Sequence, residues 1–141
     1  MPSKAASRPQ INLDKACFVI VKAREFDVQV EVEEPDYGSD AIDDKFVQVL
    51  EAYGDDPTFE ELKSFIDAMN QDEKAQLVAL AWIGRGDFTA EDWAEAVRVA
   101  HERHSGSTAL YLIGMPMLGD YLEEGLAAFE LSCADMDQAH L

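Results

Sequence analysis

Apolar residues recur along this chain at helical spacing for most of its length. Leu13, Ala16, Cys17 and Ile20 fall on one side of a first segment, with Phe18 and Val21 on another, and Asn12 stands where an N-cap belongs. Ile42, Phe46, Val49, Leu50 and Tyr53 repeat the pattern up to Gly54. Thr58 with Glu61 reads as a capping box before the stripe Phe59, Leu62, Phe65, Ile66 and Met69, and Asn70 with Glu73 reads as another. The helix that Asn70 opens, over residues 71–83, is apolar almost all round at Leu77, Val78, Leu80, Ala81, Trp82 and Ile83, which predicts a central element against which others pack. Gly84 and Gly86 are read as its stop. Thr89 caps a further helix that ends before Gly106, a short one covers residues 108–113, and the last covers about 117–131 with Leu118, Tyr121, Leu122, Leu126 and Phe129 on its apolar side.

One stretch departs from this period. Val28, Val30 and Val32 alternate with Gln29, Glu31 and Glu33, a strand pattern with no evident second strand. A hairpin of residues 17–21 with 28–32 is the alternative, although Lys22, Ala23, Arg24 and Glu25 are poor turn residues. The expected fold is therefore all-α: a single compact domain of six or seven helices, with at most one short extended segment near residues 27–33. Residues 1–10 read as a disordered lead, 11–131 as the helical domain and 132–141 as a flexible C-terminal tail.

Composition adjusts the picture. A chain of 141 residues can bury a sizeable core in one domain. Its two cysteines, Cys17 in the apolar run ACFVIV and Cys133 near the C-terminus, sit in such unlike settings that they read as free thiols of a reducing cytoplasm. The basic N-terminus precedes only six consecutive apolar residues, too few for a signal peptide or a membrane span. The net charge of −18 is uneven: residues 31–61 carry twelve acids against Lys45 alone, and no Lys or Arg follows Arg103. Such a field repels phosphate backbones and anionic membranes, so neither nucleic acid nor membrane is an expected partner. It suits a soluble acidic surface, or an acidic face that docks a basic partner.

Candidate chemistry is sparse. The turn at Gly84-Arg85-Gly86-Asp87-Phe88 superficially matches an EF-hand loop, with Gly86 as the sixth residue and Asp92 as the twelfth. The first, third and fifth positions are then Ala81, Ile83 and Arg85, where calcium needs oxygen ligands. Arg85 could face an anion at the next helix start, but nearby carboxylates are the expected partners. Trp82 and Trp93 flank the turn and form either an aromatic wall or, at helical positions beside Ile83 and Val97, core. His101 and His104 have the i, i+3 spacing that presents two imidazoles to a metal, yet two ligands do not make a zinc site, and no metal or cofactor is called for. Met115 and Met117 bracket Pro116 in a segment whose glycines, Gly114, Gly119 and Gly125, weaken helix propensity, so residues 113–129 read as an adaptable contact surface.

The segments INLDK (11–15), VKAREFD (21–27), DDPTFEEL (55–62), LVALAWIGRGDF (77–88) and GMPMLGDYLEEGLAAF (114–129) resemble a bacterial family of small proteins of unknown function. The resemblance runs from about Ile11 to Phe129 and implies one bacterial, cytoplasmic domain, with no activity or site residues to carry over. Function from the residues themselves is expected to be a cytoplasmic, non-enzymatic protein–protein interaction module with an acidic surface, acting on a protein partner or a second copy. The alternative is a small-ligand or metal-dependent protein using the Arg85 corner with His101 and His104.

Overall fold

The computed structural model describes residues 7–29, 56–103 and 107–134. The helix expected around Ile42 to Tyr53, the acidic stretch up to residue 55, the later half of the alternating valines and His104 lie outside the described residues. Among those described are six α-helices, one 3-10 helix and no strand.

Asn12 opens α1 (Leu13–Gln29), its side-chain oxygen accepting from the Asp14 amide at 2.7 Å. Ala16, Val19, Ile20, Ala23 and Phe26 of this helix are buried at the spacing of one helical face. The hairpin alternative is thereby excluded, and Val28 and Gln29, the start of the alternation, are helical. An alternating run without a partner strand leaves its backbone unpaired, whereas extending an existing helix adds one hydrogen bond per residue.

α2 (Pro57–Asp67) starts two residues earlier than the Thr58–Glu61 box requires. Asp56 is the N-cap, accepting from the amides of Thr58 at 2.8 Å and Phe59 at 3.2 Å, with Pro57 pre-set for the first helical position. The Asn70–Glu73 capping box forms as read and opens α3 (Gln71–Arg85). Every residue from Ala75 to Ile83 in α3 is buried, so it is the central helix. α3 continues through Gly84, and the chain turns only at Gly86, whose φ of 97° few other residues adopt. After the 3-10 turn Ala90–Asp92 come α4 (Trp93–Glu102), α5 (Thr108–Ile113) and α6 (Leu118–Ala127).

α3 packs chiefly on α6 and α4, α1 packs on α6 and α2, and α2 on α5. The α3–α6 crossing is unusually close. A Cβ placed on Gly84 would stand 2.6 Å from the carbonyl carbon of Tyr121 and closer still to its oxygen; one on Gly125 would stand 2.9 Å from the carbonyl carbon of Leu80, and again closer to the oxygen. Gly125 therefore belongs to a packed crossing, not to an adaptable segment, and Leu118, Leu122 and Leu126 of the same helix are at most 1% exposed.

The two ends of the expected domain are tied down further than the sequence implied. The Gln76 side chain, 4% exposed, accepts from the backbone amides of Gln10 at 2.5 Å and Ile11 at 2.8 Å and donates to Asp72. Arg8 donates to the Phe129 carbonyl at 3.3 Å. At the other end Cys17 and Cys133 form a disulfide, with Cα atoms 5.7 Å apart, which overturns the free-thiol reading. The end of α6 folds back onto α1, a juxtaposition of residues 116 apart that local sequence does not encode. Replacing Gln76 by Leu should cost about 1–3 kcal/mol, because two backbone donors lose their buried acceptor. Hydrogen exchange checks this: protection at the Gln10 and Ile11 amides should fall in Gln76→Leu while the amides of α6 keep theirs.

Candidate functional site

The Arg85 corner is built where α3 meets the 3-10 turn, the end of α4 and α5. Trp82 is 4% exposed, and its ring stacks on Phe88 with centroids 5.8 Å apart. Its indole N–H donates to the Tyr111 hydroxyl at 2.9 Å, and the Arg103 guanidinium lies 5.8 Å from the ring centroid. Arg85 reaches Asp87 at 2.7 Å. Burial works against the charge of Arg85, but its hydrogen bonds to Asp87 and Tyr111 prevail and hold its pKa above the ordinary arginine value. The corner thus consists of groups that satisfy one another, and Arg85 takes a neighbouring carboxylate as the local excess of acid predicts.

Trp93 is 2% exposed and meets Phe129 edge-on at 5.3 Å, so the two tryptophans have different partners and belong to the core. His101 is on the surface, its Nε2 3.4 Å from Asp72. It borders a cavity of about 200 Å³ between α3, the end of α4 and the start of α5, with Gln71, Lys74 and Thr108 as its other polar edges and Ala75, Val78 and Ala100 as its apolar wall. No group of three or more potential metal ligands occurs among the described residues.

The two methionines part company. Met115 is buried at 5%, whereas Met117 is 51% exposed and takes a left-handed backbone, φ 63°, just before α6. Such a conformation is costly for a residue with a Cβ and is held by its surroundings. Val21, 53% exposed on α1, is the other large hydrophobic residue left in solvent among the described residues.

Both exposed residues border one seam. α1 and α6 run antiparallel: Ile20 and Arg24 lie against Gly119, while Cys17 meets Cys133 at the far end. Arg24 bridges the seam, bonding Asp120 and Glu123 at 2.9 Å each. Those bonds, to Glu123 first and then Asp120, hold its pKa above the ordinary arginine value. Val21 lies one turn before Arg24 and Met117 one turn before Asp120, so the two apolar side chains flank the bridge from opposite ends. Around them Lys22 pairs with Glu25 and Glu61. The arrangement is a charged bridge with one exposed apolar side chain at each end. Sequence reasoning found Met117 through its setting but gave Val21 only as part of a second apolar side of the first helix; the packing of α6 shows which side of α1 stays open.

A protein-family model described as "Protein of unknown function (DUF3775)" matches residues 59–131, just over half of the chain. No curated protein and no solved structure matches. No helix among the described residues is long and apolar enough to cross a membrane.

Proposed function

Because the chain belongs to the DUF3775 family, whose description carries no activity, we propose from the geometry that it is a non-enzymatic interaction module that docks a basic protein partner on the α1–α6 seam. The observation that carries the reading is the exposure of Val21 and Met117, both about half accessible, on either side of the Arg24–Asp120–Glu123 bridge. The net charge of −18 supports a basic partner over a second copy, which would bring an equal negative charge to the contact.

The test compares the unmodified protein with Val21→Asp/Met117→Asp as baits in lysate of the native cell. Neither site is buried, so the double variant should keep its stability within about 1 kcal/mol. If the partner buries both side chains, loss of about 2 kcal/mol or more should cut partner retention roughly thirtyfold. Retention by the unmodified bait should also weaken as salt rises. Equal capture by both baits would overturn the reading.

The cavity beside His101 favours a second reading, binding of a small anion by Lys74 and His101. A thermal shift produced by phosphate or short carboxylic acids and abolished in His101→Ala would support it over the module.

A further inference from the structure

We propose that Cys17 and Cys133 form a reversible thiol–disulfide exchange site for low-molecular-weight disulfides of the glutathione type, with Cys133 as the reacting sulfur and Cys17 as the resolving one. The pair consists of the only two cysteines of the chain and lies outside the family-matched stretch on both sides, at residues 17 and 133 against 59–131.

The segment bearing Cys133 is placed by contacts that do not depend on the sulfur bond. At the end of α6, Leu131 N donates to Leu126 O and Glu130 N to Ala127 O, each at 2.9 Å, with Glu130 in the left-handed region at φ 61°. This is the closed turn of a Schellman motif. The Phe129 carbonyl is held by Arg8, and the Phe129 ring packs on Trp93. Reduction thus leaves Cys133 two residues beyond a fixed anchor and still beside α1, so the bond can reopen and close without unfolding the domain.

Exposure sets the order of the chemistry. Cys17 is 2% exposed within α1, whereas Cys133 is only partly covered. Exchange needs access and a thiolate. The Cys133 thiolate attacks one sulfur of glutathione disulfide, forming a mixed disulfide and releasing one glutathione thiolate. Cys17, on losing its proton, attacks the Cys133 sulfur and releases the second. Two protein thiols lose two electrons and two protons, and one glutathione disulfide becomes two glutathione thiols. In excess reduced glutathione the external thiolate attacks Cys133 and the sequence reverses, with Cys17 leaving.

The full chain, reduced and then exposed to glutathione disulfide, is quenched with N-ethylmaleimide at intervals and read by intact and peptide mass. A transient glutathione adduct on Cys133, followed by the internal disulfide, is the expected result. Cys17→Ser should accumulate a stable adduct on Cys133, and Cys133→Ser should take one on Cys17 at least about tenfold more slowly, given its burial. Excess reduced glutathione should restore both thiols with the helical circular dichroism unchanged. An adduct found first on Cys17 in the unmodified protein, or a disulfide that yields only in denaturant, would overturn the proposal. The peptide map of the unmodified protein decides the order even if a serine variant fails to fold.

Discussion

Gly84→Ala and Gly125→Ala are each expected to destabilise the domain by about 3 kcal/mol or more, at the upper end of the usual cost of overpacking. The added methyl meets backbone in both cases, at Tyr121 and at Leu80, so no side-chain rotation can relieve the clash. The geometry is reciprocal. Leu80 is four residues before Gly84 on α3, and Tyr121 four before Gly125 on α6, so each glycine accepts the carbonyl of the turn facing it. The only relief is to separate the two helices, which loosens the contacts of Leu118, Leu122 and Leu126 with the central helix. Once one methyl has forced that separation, the second meets less resistance, so the double variant should cost clearly less than the sum of the singles. Gly86→Ala is the control: nothing lies within 4 Å of its missing Cβ, and its cost should be only the left-handed backbone, about 1 kcal/mol. Urea unfolding followed by circular dichroism measures all four. A Gly84→Ala variant no less stable than Gly86→Ala would show that the two helix backbones do not approach this closely.

These glycines also mark where the sequence stops being legible. Asn12, Asn70 and the apolar run of α3 could be read directly because a cap or a stripe is a relation among residues within one or two turns. Gly84 looked like a helix stop for the same local reason, while its role depends on Tyr121, which reaches it only after the chain has turned three times. Asp56 and Thr58 are both capping residues, and Pro57 between them, at the first helical position, decides in favour of Asp56. Met115 and Met117 share a setting in sequence and end 5% and 51% exposed because the backbone turns sharply at Met117. Of the candidate site, the core roles of Trp82 and Trp93 and the pairing of Arg85 with an acid follow from helical spacing and local charge. Val21 does not, since nothing in α1 alone tells which of its apolar sides α6 will leave uncovered. The family resemblance read across residues 11–129 is matched over residues 59–131, the stretch that contains the glycine crossing and the Arg85 corner.

Oxidised protein should be more stable than its reduced form by about 4–5 kcal/mol, the loop-closure entropy of a bridge spanning roughly a hundred residues. The separation of 116 residues makes this one of the largest single contributions available to a domain whose total stability is expected to be about 5–15 kcal/mol. Residual structure in the unfolded chain will draw the measured difference below that figure. Its origin is the unfolded state: the bridge restricts the denatured chain, while the folded ends are already held by Gln76, Arg8 and the turn after α6. Two signatures distinguish this from a change in native packing. The urea dependence of unfolding should be shallower for the oxidised protein, because a cross-linked denatured chain exposes less surface. The Cys17→Ala/Cys133→Ser variant should come within about 1–2 kcal/mol of reduced protein, the remainder being the lost packing of the buried Cys17 sulfur. At roughly 3 °C per kcal/mol for a chain of this length, the melting temperature should fall by about 10 °C or more on reduction. Equal midpoints for the two redox states would mean that the denatured chain gains no freedom when the bond opens, and that the ends stay together by contacts stronger than those described above.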